Sequence, residues 1–302
     1  MRTDVSFQSA GLKIAGHLYM PRTVPADGRA IVVGHPGSGV KEQAAGLYAQ
    51  KLCDNGLVAL TFDAAFQGES EGQPRGREDP AQRVEDIKAA VSFLSVHPQV
   101  DPAKIGALGI CASGGYLAMA AASDRRIKAV ATVSAADIGL QFRLGADGRQ
   151  DPVLLNALLE AAGQARTAAA RGEPIGTFPI FPADEVQARA GGQHLFEGWD
   201  YYCTDRARHP RSAKTLTWDS VDRIATFDAF RFIDMISPRP LLMIVGEQAV
   251  TSWMTTQAMA RAAEPKDIHW IKGATHVALY DRQPYVDEAV ARLAVFFRAA
   301  LG

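Results

Sequence analysis

Cys111 stands inside Gly109-Ile110-Cys111-Ala112-Ser113-Gly114, a G-x-C-x-S-G pattern that surrounds a nucleophilic side chain with small residues. The preceding stretch, Lys104 to Ile110, is short and apolar and follows the turn pair Asp101-Pro102, as a buried parallel strand does. The following stretch, Ala112 to Ala122, is rich in small helix formers. A strand that runs through glycine into a helix is a variant of the nucleophile elbow, which exposes its apex residue at the carboxyl edge of a sheet. The chemistry needs small neighbours because the turn is tight and strained, and it needs the helix because N-terminal N–H groups stabilise negative charge. A thiolate at Cys111 gains from both. Ser113 offers a second register, in which Cys111 and Gly115 become the flanking positions and the strand runs further before turning. The Cys111 register keeps a normal strand length and places Gly109 where the backbone is tightest. Cys111 is therefore the expected nucleophile and Ser113 the alternative. The bland reading is a small buried hydrophobe, a common role of free cysteine.

An elbow needs a sheet, and the chain alternates strand and helix as a mostly parallel sheet requires. Val5 to Ser9 and Leu12 to Tyr19 read as an antiparallel pair joined at Ala10-Gly11. Ala30 to Gly34 is a short apolar strand, Lys41 to Asn55 a helix, and Leu57 to Phe62 another strand. Asp79 to Val96 is an amphipathic helix with Val84, Ile87, Ala90, Val91 and Leu94 on one face and Asp79-Pro80 at its start. Ile127 to Ser134 and Pro240 to Gly246 are strand-like. Helix Trp253 to Ala263, strand Asp267 to Ile271 and a helix from about Tyr285 to Ala300 complete the pattern. It breaks between Ile138 and about Thr226, an interval too long for a structureless connection. Asp151 to Arg171 is helical in character, whereas Gly191 to Thr217 is dense in aromatic and basic residues. Such an insertion projects over the carboxyl edge of the sheet, where ligands bind. The expected organisation is a core of residues 1–137 and 226–302 with a cap at 138–225. Trp199, Tyr201, Tyr202 and Trp218 are candidates for lining a substrate pocket, with packing of the cap as their ordinary role. Arg206, Arg208, His209 and Arg211 form a basic run that would suit a carboxylate or phosphate, although such runs are more often ion pairs or a solvated face.

Composition narrows the class. The 302 residues are 47% hydrophobic, enough for a large core, and the formal net charge is −1. No clustered Lys and Arg excess favours nucleic acid or an anionic membrane. No stretch approaches the ~18 apolar residues of a membrane span, and the first residues lack a signal peptide's apolar core, so a cytoplasmic location is expected. Cys53, Cys111 and Cys203 are widely spaced and odd in number, which fits neither a disulfide framework nor a zinc site. No metal or organic cofactor is implied. There is no G-x-G-x-x-G after the first parallel strand to suggest an oxidoreductase.

The order of elements and the motif at Gly109 to Gly114 resemble the α/β-hydrolases, over roughly residues 1–137 and 226–302. The resemblance is greatest to the dienelactone-hydrolase-like branch, whose elbow also carries cysteine, and extends to hydrolases of polyketide-transferase type. It implies a nucleophile, an acid and a histidine in that chain order. His276, in Gly273-Ala274-Thr275-His276 after the final strand, takes the place of the general base. The oxyanion hole needs two backbone donors: Ala112, after the nucleophile, and one from His35-Pro36-Gly37-Ser38-Gly39. Pro36 has no N–H, so Gly37 is the expected donor, with Ser38 behind it and His35 ordering the loop. The acid departs from the pattern, since Gly246 is followed by Glu247-Gln248-Ala249-Val250 with no aspartate in the usual slot. Glu247 is the nearest replacement; Glu69 and Asp281 are the alternatives.

These readings converge on a cysteine-dependent acyl hydrolase acting on a small-molecule ester, thioester or lactone. Acyl transfer from the same site is the alternative, and the missing aspartate keeps open a non-catalytic ligand-binding protein on the same scaffold. Neither nucleic acid nor membrane is an expected partner, and self-association into a homo-oligomer stays open.

Overall fold

The computed structural model describes residues 1–22 and 27–302. The chain opens with β1 (Arg2–Ser9) and β2 (Leu12–Tyr19), paired antiparallel from Arg2 opposite Tyr19 to Ser9 opposite Leu12. β1 starts earlier than its apolar alternation indicates, because its first residues are exposed at a sheet edge and carry no hydrophobic signal. There follow β3 (Ala30–Gly34), α1 (Ala44–Asp54), β4 (Val58–Phe62), α2 (Pro80–Ser95), β5 (Ile105–Ile110), α3 (Ala112–Ser123) and β6 (Ala129–Val133). The helix expected from Lys41 begins only at Ala44, since the Lys41 N–H is committed to Asp63 Oδ1 at 2.8 Å. α2 starts where its signal lies: Asp79 caps it by accepting from the N–H groups of Ala81 and Gln82.

Between β6 and the next core strand lie α4 (Ile138–Leu144), α5 (Pro152–Ala170), β7 (Thr177–Pro179), α6 (Glu185–Ala190), α7 (Gln193–Cys203), β8 (Thr215–Thr217) and α8 (Val221–Ala225), with β7 and β8 forming a small antiparallel ribbon. α5 is the outermost, with only Ala162 buried. The core then resumes with β9 (Leu241–Gly246), α9 (Ser252–Arg261), β10 (Lys266–Ile271), α10 (Ala278–Asp281) and α11 (Tyr285–Ala300).

The large sheet has eight strands in the order β1-β2-β4-β3-β5-β6-β9-β10, antiparallel at β1-β2 and β2-β4 and parallel from β4 onward. Its central strands are buried on both faces, which is why they read as continuous apolar runs. Alternation still divides them: Val32 belongs to the core layer with α2 and α3, Ile31 and Val33 to the layer with α1 and α11. Each fully buried aliphatic side chain contributes about 1.5–3 kcal/mol.

At the elbow the segments approach too closely for side chains. A Cβ at Gly109 would lie 2.3 Å from the Ser113 carbonyl oxygen, and one at Gly34 2.8 Å from Ser113 Cβ. Gly109→Ala is therefore expected to destabilise the fold by about 2–3 kcal/mol, as overpacking against backbone does, read as a lowered urea midpoint with unchanged slope.

Candidate active site

β5 delivers its last residue into the elbow, and Cys111 takes φ 55° and ψ −122°, a region that costs a non-glycine residue about 1–3 kcal/mol. Neighbouring strands hold it there. The Cys111 N–H donates to Val133 O at 3.0 Å, and Cys111 O accepts from Gly114 and Ala136 N–H at 2.8 and 3.0 Å. The Gly37 loop lies against Ala112, a Cβ at Gly37 standing 3.7 Å from Ala112 Cβ, and the backbone N–H groups of both favour the ionised form of the Cys111 sulfur. The two expected oxyanion donors thus belong to adjacent segments beside the thiol.

The Gly37 loop is fixed from behind. Ser113 lies inside α3, 3% exposed, and its hydroxyl donates to His35 O at 2.5 Å rather than standing at the apex. His35 Nδ1 donates to Pro36 O at 2.7 Å, while Nε2 accepts from Ala64 N–H at 3.1 Å and from Arg83 at 2.9 Å. Burial and the adjacent Arg83 charge hold this imidazole well below its usual range, so it is a neutral ordering residue. Arg83 pairs with Glu78 at 3.0 Å, and Glu78 also accepts from Tyr116 OH at 2.7 Å. From above, Tyr202 donates to Gly37 O at 3.0 Å and Ala213 N–H to Ser38 O at 3.1 Å.

His276 is 2% exposed on the loop after β10. Its Nδ1 lies 2.6 Å from Thr251 Oγ1, and its Nε2 lies 3.0 Å from the hydroxyl of Tyr280, a residue that also acts on the Cys111 thiol. No direct hydrogen bond joins His276 to Cys111. His194, on α7, stands edge-on to His276 with ring centroids 5.1 Å apart. Its buried Nδ1 lacks a partner among the described residues. Burial, and then His194, hold His276 well below the usual imidazole range. Burial pushes the Cys111 thiol up, against the hydrogen bonds from Tyr280, Ala112 and Gly37 and the Arg83 charge. The thiolate expected from the helix terminus alone thus gives way to a neutral thiol beside a neutral imidazole, because desolvation outweighs the terminus.

The structure does not bring the three acid candidates to His276. Glu247 is exposed, only its backbone N–H being engaged, by Ile271 O at 3.0 Å. Glu69 pairs with Lys41 at 2.6 Å and Arg211 at 3.3 Å. Lys41 is itself buried against Asp63 at 2.8 Å. Asp281 is held by Arg206 at 2.6 and 3.0 Å. Thr251, a neutral residue that an acid search passes over, occupies the place facing Nδ1. The basic run divides likewise: Arg206 also meets Asp200, Arg208 meets Asp205, Arg211 meets Glu42, and His209 Nδ1 accepts from Arg211 N–H. Of the aromatics, Tyr202 reaches the Gly37 loop, Tyr201 packs between Tyr202 and Tyr280, Trp199 stacks on Phe196, and Trp218 lies on Phe178 away in the ribbon. Sequence reasoning passes over Tyr280 and His194. The signal for Tyr280 is an aromatic one helical turn after His276; His194 has none.

Residues 14–136 match the dienelactone hydrolase family. The uncharacterized protein YcjY of Escherichia coli is 39% identical over the full length of both chains. The thiohydrolase aneE of Aspergillus aculeatus is 39% identical over 132 residues, 43% of this chain and 41% of that one. The crystal structure of hypothetical protein PA2218 from Pseudomonas aeruginosa superimposes with a TM-score of 0.92 at 36% identity, covering 100% of this chain and 94% of that one.

Heteronuclear NMR of the imidazole nitrogens tests the geometry around His276. The ring is expected to stay neutral as the pH falls through 6.5, since its folded value lies below the ordinary one. Thr251→Val should shift the His276 resonances, and Glu247→Gln should leave them in place.

Proposed function

Because the chain belongs to the dienelactone hydrolase family and has the α/β-hydrolase fold, we propose that it cleaves acyl compounds through a covalent acyl-enzyme on Cys111. It is an ester-hydrolase-like enzyme, and its relatives support acyl hydrolysis or acyl transfer. The observation that carries the cysteine reading is Cys111 at the strained apex between β5 and α3, with the Gly37 loop packed beside Ala112. An acyl carbonyl attacked by that sulfur develops its oxyanion within reach of both donors, and preorganised donors of this kind contribute about 3–4 kcal/mol each to the barrier.

In the first half-reaction the thiol proton passes to His276, the sulfur adds to the carbonyl carbon, and the tetrahedral intermediate collapses as the leaving group takes the proton. In the second, His276 removes a proton from water, which attacks the thioester and frees the acid and the thiol. Thr251 fixes the ring through Nδ1, as the acid does in other triads, without supplying charge. Residues 138–225 act as a cap: Tyr202 braces the Gly37 loop, and Arg206 binds both Asp200 of α7 and Asp281 of α10. With these ionic groups paired, the site suits an uncharged acyl group. The relative named a thiohydrolase makes a thioester the first class to try.

The test is intact-mass analysis after incubation with p-nitrophenyl acetate, followed by peptide mapping. One acetyl group is expected on Cys111. Cys111→Ala should lose the adduct and at least about 10³-fold in turnover. Ser113→Ala should keep the adduct on Cys111 and lose less than about tenfold, since it removes one supporting hydrogen bond. Label on Ser113, or turnover surviving in Cys111→Ala, overturns the reading.

A further inference from the structure

Among the described residues no hydrogen bond joins His276 directly to Cys111, whereas the Tyr280 hydroxyl bonds the imidazole and acts on the thiol. A general base must come within about 2.6–3.2 Å of the proton it removes, directly or through one intervening group. The phenol is 3.0 Å from His276 Nε2. The phenol and the Cys111 thiol each shift the other's titration, so the hydroxyl is a near neighbour of the sulfur. Tyr280 is 3% exposed, wedged edge-on between Tyr201 and His276 with centroid separations of 5.1 and 5.6 Å. The neighbouring phenols have other places: Tyr202 donates to Gly37 O, and Tyr201 packs edge-on against Tyr202 and Tyr280. A hydroxyl both donates and accepts, so one oxygen can serve the two atoms at once.

We propose that Tyr280 is a further catalytic residue, its hydroxyl relaying the proton between Cys111 and His276. The inference rests on Cys111 being the nucleophile. In acylation the S–H bond breaks as the proton moves to the tyrosine oxygen, and the tyrosine O–H bond breaks as its own proton moves to Nε2. The sulfur is left with the electron pair that attacks the carbonyl, the phenol is regenerated, and His276 carries one extra proton. The leaving group then takes that proton by the reverse shift. Burial and the nearby Cys111 push the phenol well above its ordinary range, so it passes protons without resting as phenolate. The groups facing this chain are His194 from α7, Tyr201 and Tyr202 from the same helix, and Arg83 from α2.

Tyr280→Phe keeps the ring and removes the hydroxyl, and with it both the relay and the bond to His276 Nε2. The burst of nitrophenol release from p-nitrophenyl acetate, which reports acylation, should slow by about 10²-fold with KM within about twofold. The residual rate should rise steadily with pH, since hydroxide must then ionise the thiol, whereas the native rate levels off once His276 is neutral. In the native enzyme, acylation measured across mixtures of light and heavy water should curve as two moving protons require. A variant that acylates within about threefold of native with the native pH profile, or a native dependence linear in deuterium fraction, overturns the relay. If the acetyl group maps to Cys111 in these experiments, the relay alone has failed; if it maps elsewhere, the nucleophile assignment has failed first.

Discussion

The hydroxyl of Ser113 donates to the carbonyl oxygen of His35, and that bond, with the bare glycines that let the segments close on it, ties the elbow to the loop that faces it. The elbow fixes where the Cys111 sulfur stands; the loop fixes where the Gly37 N–H points. Neither has a preference for the other, since they follow different strands. Ser113 joins them at 2.5 Å, and Gly34 and Gly109 are bare because a Cβ at either would collide with the Ser113 side chain or backbone. Behind the bond, the buried chain His35, Arg83, Glu78 and Tyr116 has its charges matched, as burial demands.

The site that results is neutral. Desolvation raises the thiol and lowers the imidazole, and no carboxylate counters the second effect. Thr251, His276 and Tyr280 form a hydrogen-bonded line of uncharged groups, each able to give or take a proton, beside the Cys111 thiol. An acid beside Nδ1 would favour the imidazolium; a threonine hydroxyl orients the ring and leaves its basicity to burial.

The core is legible in the sequence because its strands are buried on both faces and punctuated by turn residues, and because glycines at the elbow mark close approach. The edge of β1 is not, since exposed polar residues pair there through backbone alone. Around the site the division is similar. Cys111, Gly37 and His276 are readable from their places next to strand ends. The partner of Nδ1 is not, because a search by charge offers Glu247, Glu69 and Asp281, whereas the fold puts a neutral residue there and spends two of those carboxylates on Lys41, Arg211 and Arg206. His194 comes from a segment far along the chain whose placement follows from tertiary packing.

Arg83, Arg206, Arg211 and Lys41 are each matched to carboxylates, and the whole chain is nearly neutral. A funnel of one sign, which draws charged ligands to other enzymes over about a Debye length, has no source here. Encounter is left to ordinary diffusion and retention to shape and desolvation, so association depends little on ionic strength and the ligand's apolar surface acts on how long it stays.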